Sequence, residues 1–348
     1  MEEFTSNVTW RGVNLLMNQS RITFIDVFRG VGILLMVMGH IGFGGIFDKF
    51  IHAFHMPMFF FVSGYFFYHH KVTSLYDYCK KKGKSLLIPY VTTGFICSIV
   101  WLIFHYNNLS FRPILHLLFI NTCGLPIAGA LWFLTAMFIC NVVYAYLDSK
   151  FTKRLNFVVF CVALLGNLLP SVMRGGRLPW AMDVAFVGIG LYHTARLLKT
   201  WENKIPVKIF DLNLIWILIA GICTTALIFV NGFINLREGT YAIIPLFWVN
   251  AISASLIGWS ISKYIDNSTS SIWKLIARGL RHVGKNSLVY LCWNQAVILL
   301  VMKLDTPIRS FGVHIVISHF IILVISMLVL WRLDNIFANT KAKLLLGK

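Results

Sequence analysis

The chain has 348 residues, 58% of them hydrophobic and 13% charged, against roughly 45–50% and about 25% in a soluble globular domain. That excess excludes an aqueous environment, because run after run of about 17–22 residues lacks a polar face and matches the length needed to cross a bilayer. The net charge of +18 does not signal nucleic acid: Lys and Arg sit in short clusters between apolar runs, without interleaved aromatics, as charges that orient membrane helices do.

Residues 1–24 carry Glu2, Glu3, Asn7, Arg11, Asn18 and Arg21 ahead of any long apolar run. The segment is too long and too mixed for the n-region of a cleaved signal peptide, so the first helix is expected to stay in the protein. Apolar runs then predict helices near 25–45, 51–68, 86–105, 131–147, 156–170, 181–197, 211–230, 242–262, 286–302 and 312–331. A further piece, 113–121, is too short to span and reads as a re-entrant or interfacial segment, or as an eleventh helix. The longest polar stretch, 263–285, fits a loop carrying a short amphipathic helix (Ile272, Leu275, Ile276, Leu280).

The expected fold is therefore all-α: a polytopic transmembrane helical bundle of about ten helices. It forms one membrane domain, 25–331, between an N-terminal segment, 1–24, and a tail, 332–348. With the amino terminus cytoplasmic, loops on that side collect 23 of the 31 basic residues against seven opposite, Arg29 lying inside the first helix. This asymmetry predicts a multi-pass protein of the cell membrane with both termini in the cytoplasm. The seven cysteines fall mostly in apolar runs (Cys97, Cys140, Cys161, Cys223, Cys292) and show no metal-ligand spacing.

Two residues stand out by their cost. The first helix holds Asp26, Arg29 and, eleven residues later, His40. At about 1.5 Å per residue His40 lies roughly 16 Å deeper than Arg29, expected near the middle of the hydrocarbon, where ionisable groups are expensive and usually functional. Alone, Arg29 reads equally as a snorkelling anchor and His40 as a packing residue. Together they suit acyl transfer from a phosphorylated carrier: the cation holds an anionic donor, and the imidazole takes a hydroxyl proton or carries the acyl group. Asp26, one turn before Arg29, can brace the guanidinium.

Arg29 and His40 are followed by a second apolar run reading His55-Met-Pro-Met-Phe-Phe-Phe-Val-Ser63-Gly-Tyr65. Later come a Lys-rich segment (Lys81-Lys-Gly-Lys84-Ser-Leu-Leu-Ile-Pro89-Tyr90), a helix start (Leu131-Trp132-Phe133-Leu134) and Gly284-Lys-Asn-Ser287. In this combination, spread over most of its length, the chain resembles the acyltransferase-3 family of membrane acyltransferases, which includes cell-surface O-acetyltransferases. The resemblance implies an acyl-CoA-dependent O-acetyltransferase. Acetyl-CoA would be the cytoplasmic donor, and a sugar hydroxyl of a cell-envelope polysaccharide or lipid-linked precursor the acceptor. It ties activity to Arg29 and His40. Two departures from the family pattern stand out: lysines, Lys81 and Lys84, occupy the basic segment where members often carry an arginine pair, and Trp293-Asn294 stands where many carry a histidine.

The expected catalytic residues are thus His40 and Arg29. Asp26, Ser63, Lys81, Lys84, Trp132, Arg237 and Glu238 are expected to bind substrate. Lys80–Lys84 matches the phosphate charge of CoA, although positive-inside topology accounts for it equally. Arg174, Arg177 and Trp180, Asp183, and Asn235 with Tyr241 are secondary candidates in or beside loops on the opposite side. His52 and His55 lack a carboxylate or cysteine at ligand spacing, so no metal is expected, and Gly284-Lys-Asn-Ser287 lacks the upstream glycine of a P-loop. The implied partners are acyl-CoA, the glycan acceptor and the lipid bilayer, without nucleic acid. The enzyme reading calls for a cavity running from the cytoplasmic face past Arg29 to His40. The competing class is a transporter or flippase of a lipid-linked sugar, with Arg29 and His40 lining a proton or substrate path; no pair of interrupted helices in matching halves supports it.

Overall fold

A computed structural model describes residues 22–67, 74–105, 110–202, 204 and 209–347. Arg11, Arg21, Lys71, Lys208 and Lys348, together with all but the last three residues of the expected segment 1–24, lie outside the described residues. The described chain is helical, and its one β-bridge, Asn235 with Thr240, is isolated. The all-α bundle expected from the sequence is the fold.

Helix α1 spans Thr23–Ile41. It ends four residues earlier than the apolar run, because Gly42 (φ 82°) and Gly44 (φ 106°) adopt positive φ and stop the helix after Ile41, one residue past His40. His40 therefore occupies the last turn of α1. The chain reverses into α2 (Gly45–His52), turns through residues 53–56, and continues as α3 (Pro57–Tyr65). The expected helix 51–68 is thus two short ones, since Pro57 has no N–H to carry a helix across its position and instead begins the second.

Helix α4 (Leu75–Phe104) is thirty residues long. The Lys-rich stretch expected as a loop is its first turns: Ser74 caps the helix by accepting from the Asp77 backbone N–H at 3.3 Å. The short piece near 113–121 forms α5 (Arg112–Leu118), seven residues long. It is held by the Tyr90 hydroxyl, which donates to the Leu117 carbonyl, and by the Trp180 indole, which donates to that of Leu118 at 2.8 Å. A 3₁₀ turn at Gly129–Leu131 leads into α6 (Trp132–Lys150), followed by α7 (Leu155–Val172) and α8 (Met182–Glu202).

The remaining helices are α9 (Leu214–Asn231), α10 (Ile244–Asn267), α11 (Ser271–Lys285), α12 (Ser287–Val301), α13 (Asp305–Ser310) and α14 (Ile315–Asn339). Helix α14 runs eight residues past the expected domain end at 331, and a last 3₁₀ turn, Lys341–Leu346, folds back on α4, where the Leu345 carbonyl accepts from Thr92 Oγ1 at 2.7 Å.

Eight of these segments are long and apolar enough to cross a membrane, making this a multi-pass membrane protein. Of the ten expected spans, the split α2–α3 pair and α8 are not among the eight. Helix α8 has the length, yet it packs between α3, α6 and α7 and turns Asp183 and His193 into the protein, so its polar groups face neighbouring helices rather than lipid.

Small residues set the closest approaches, as is common where helices associate in lipid. A Cβ on Gly284 of α11 would stand 1.7 Å from the Asp26 carbonyl oxygen, and one on Gly30 would stand 2.2 Å from that of Leu280. These contacts press α11 backbone-to-backbone onto the Arg29 end of α1. Gly64 of α3 meets the Tyr192 carbonyl of α8 in the same way, at 2.0 Å. Helix α3 runs back from the His40 end. Its last residue, Tyr65, joins Phe24, Phe28 and Phe210 around the buried Trp259 ring.

Candidate active site

At the His40 end lies a cavity of about 140 Å³. Three parts of the chain build it. Met36 and His40 come from α1, and the turn and α2 that the glycines allow return His52, His55 and Met56. The second wall is Ala130 and Trp132 at the start of α6. The third is the loop between α9 and α10, contributing Asn235, Leu236, Arg237 and Glu238.

His40 is exposed, and that exposed surface belongs to the cavity. Its electrostatic neighbours are Arg237 and His52. The other two imidazoles are anchored: Nδ1 of His52 lies 2.8 Å from the Asp48 carbonyl oxygen, and Nδ1 of His55 lies 2.8 Å from that of Ile51. A carbonyl only accepts, so in both rings Nδ1 carries the proton, and Nε2 of the neutral imidazole is left as a base. The two rings meet edge to face, with centroids 5.1 Å apart.

Arg237 sits at the tip of a tight hairpin closed by reciprocal Asn235–Thr240 backbone hydrogen bonds of 2.8 and 2.9 Å. Its Nε donates to the Thr122 carbonyl at 2.6 Å, which fixes the plane of the guanidinium. Burial pulls the group below its ordinary pKa, and the neighbouring Glu238 carboxylate pulls the other way. Gly129 makes room for it: a Cβ there would stand 2.9 Å from Arg237 Nη1 and 2.6 Å from Gln295 Oε1.

Of the residues singled out in the sequence, His40, Trp132, Arg237, Glu238 and the secondary candidate Asn235 come together in this cavity. Arg29 and Asp26 do not. They lie at the other end of α1, and Arg29 is not among the cavity's walls, so the passage expected from Arg29 to His40 is not what this cavity provides. Asp26 is buried under α11. Ser63 is half-buried next to Gly64, on the Tyr65 end of α3, and Lys81 and Lys84 are exposed on α4.

The lysine turned inward beside Arg29 is Lys82, which feels the charges of both Arg29 and Lys81 and lies over the Tyr78 ring at 5.4 Å. Nearby, Lys199 donates to the Tyr65 carbonyl at 3.0 Å, and Arg196 pairs with Asp148. The Arg29 end is therefore rich in cations and the His40 end in imidazoles.

Sequence reasoning missed Lys82, which one turn of helical register from Tyr78 would have marked. It also set His52 and His55 aside because they lacked metal partners, although their position after the Gly42–Gly45 break was a signal that the chain doubles back onto His40. Gln295, beside the Trp293-Asn294 departure, gave no signal. Among the secondary candidates, Arg177 and Asp183 form a buried ion pair at 2.5 Å rather than a cavity wall, and Trp180 is taken up in holding α5.

A family model described as an acyltransferase domain, acyltransferase-3, matches residues 22–331. No curated protein and no solved structure matches the chain.

Proposed function

Since the chain belongs to the acyltransferase-3 family, we propose that this membrane acyltransferase moves an acetyl group from acetyl-CoA to a sugar hydroxyl of a cell-envelope polysaccharide or its lipid-linked precursor. The observation that carries this reading is the meeting of His40 with Trp132, Arg237 and Glu238 in one cavity, built from segments almost 200 residues apart. An imidazole that makes no hydrogen bond among the described residues is available as a general base. An indole and a carboxylate beside it suit a sugar, offering an apolar face and a hydrogen-bond acceptor.

In this reading the phosphates of CoA are drawn to the opposite end, where Arg29, Lys82, Lys81 and Lys84 concentrate positive charge on the cytoplasmic face of the cell membrane. Asp26 braces Arg29, and Ser63 shapes the same end. For the thioester to reach His40 it must travel about 16 Å along α1, eleven helical residues, by a path that has to open beyond the cavity at His40. His40 then takes the proton of the acceptor hydroxyl, or carries the acetyl group in between.

The test is transfer of labelled acetyl from acetyl-CoA to envelope glycan in membranes holding equal amounts of inserted wild type or His40→Ala. We expect label with wild type and none with the variant. Equal transfer by both makes His40 structural, and movement of a lipid-linked sugar without consumption of acetyl-CoA would replace the enzyme by a transporter.

A further inference from the structure

The geometry points to Arg237 as a catalytic residue, the group that holds the negative charge forming on the acyl carbonyl oxygen during transfer at His40. This assignment rests on the acyl-transfer reading and adds the chemistry which that reading leaves unassigned. An imidazole that removes a proton makes the attacking oxygen a nucleophile, but the tetrahedral centre it forms also needs a donor aimed at its oxyanion.

Arg237 has the position and the unspent capacity. It lines the same small cavity as His40 and is that residue's charged neighbour. One nitrogen, Nε, is committed to the Thr122 carbonyl. Among the described residues, no carboxylate pairs with the guanidinium and no hydrogen bond is made by its two Nη groups. A half-buried cation without an ion pair is costly unless an anion comes to it. The pinned Nε also means that the fork need not reorganise when charge appears. Gln295 Oε1, buried and without a hydrogen-bond partner among the described residues, crowds the same point beside Gly129 as Arg237 Nη1 does.

The step balances as follows. The acceptor O–H gives its proton to the His40 imidazole, and the oxygen bonds to the thioester carbonyl carbon. The carbonyl π electrons move onto its oxygen, against the Nη–H groups of Arg237. When the C=O bond re-forms, the C–S bond breaks, and the departing thiolate takes the proton back from His40.

The test compares wild type, Arg237→Gln and Arg237→Lys in detergent-purified full-length protein of matched melting temperature. It measures kcat and the acceptor KM for acetyl transfer, with and without methylguanidinium. Arg237→Gln is expected to lose about 10²–10³ in kcat at unchanged acceptor KM, with methylguanidinium restoring part of the loss. Arg237→Lys keeps the charge but not the fork, and is expected to fall between. A variant with wild-type kcat, or a loss confined to acceptor KM, overturns the assignment while acyl transfer stands. Wild type that transfers nothing brings down the acyl-transfer reading itself.

Discussion

Arg177 and Asp183 tie the loop after α7 to the start of α8 through an ion pair with side chains 8% and 1% exposed. The Tyr241 hydroxyl, buried without a hydrogen-bond partner among the described residues, lies in the field of both charges. Removing one member leaves the other buried and uncompensated, which costs about 3–5 kcal/mol, whereas replacing both with apolar side chains is often close to neutral. Asp183→Ala is therefore expected to lower the melting temperature of the purified protein sharply, and Arg177→Met with Asp183→Leu to recover most of the loss; equal melting of the single and double variants contradicts this. The sequence marked Arg29 and His40 by their cost in an apolar run, and it marked Arg177 and Asp183 as polar groups near a loop. It could not say that one pair stands at opposite ends of a helix while the other meets, because that depends on where α1 stops and how the loop between α7 and α8 folds back.

Helices were legible where one face could be ignored: a run of apolar residues longer than the bilayer is a helix whichever way it turns. They were misread where local chemistry outvoted hydropathy. Lys80–Lys84 read as a loop because charge interrupts the apolar run, yet Lys has good helix propensity, and Ser74 followed three residues later by Asp77 was the start signal. Helix α8 shows the opposite case, a span whose polar residues are paid for by neighbours that a linear pattern does not contain. The α1–α11 contact is likewise an element property. Because a Cβ at position 284 would stand 1.7 Å from the Asp26 carbonyl oxygen, Gly284→Ala must push α11 off the Arg29 end of α1. The expectation is about 1–3 kcal/mol of lost stability and reduced acetyl transfer in the protein that still folds. Wild-type melting and transfer in this variant would show that the two backbones are not held together as described.

At the scale of the whole molecule the two ends differ in chemistry, and the proposed orientation gives them different surroundings. Cys123 is exposed in the loop beside Thr122, at the His40 end. In a variant retaining Cys123 alone, a membrane-impermeant thiol reagent is expected to label intact cells from outside; labelling only after permeabilisation would place the His40 end in the cytoplasm and invert the proposed topology. The distribution of Lys and Arg in the sequence is what proposes that orientation. The cavity was not readable, since its walls come from α1, α2 and the turn after it, from the start of α6 and from the hairpin after α9, and only the fold brings them together.

The divided origin of those walls also orders the cavity in time. His40, His52 and His55 leave the ribosome in one short stretch, closed on itself by the glycine break after Ile41. Arg237 follows only once α9 has been made, which at about 5–20 residues per second is a delay of roughly 10–40 s. Through that interval the nascent chain holds its imidazoles without the cation that shares their cavity, so in the proposed mechanism competence arrives late in synthesis.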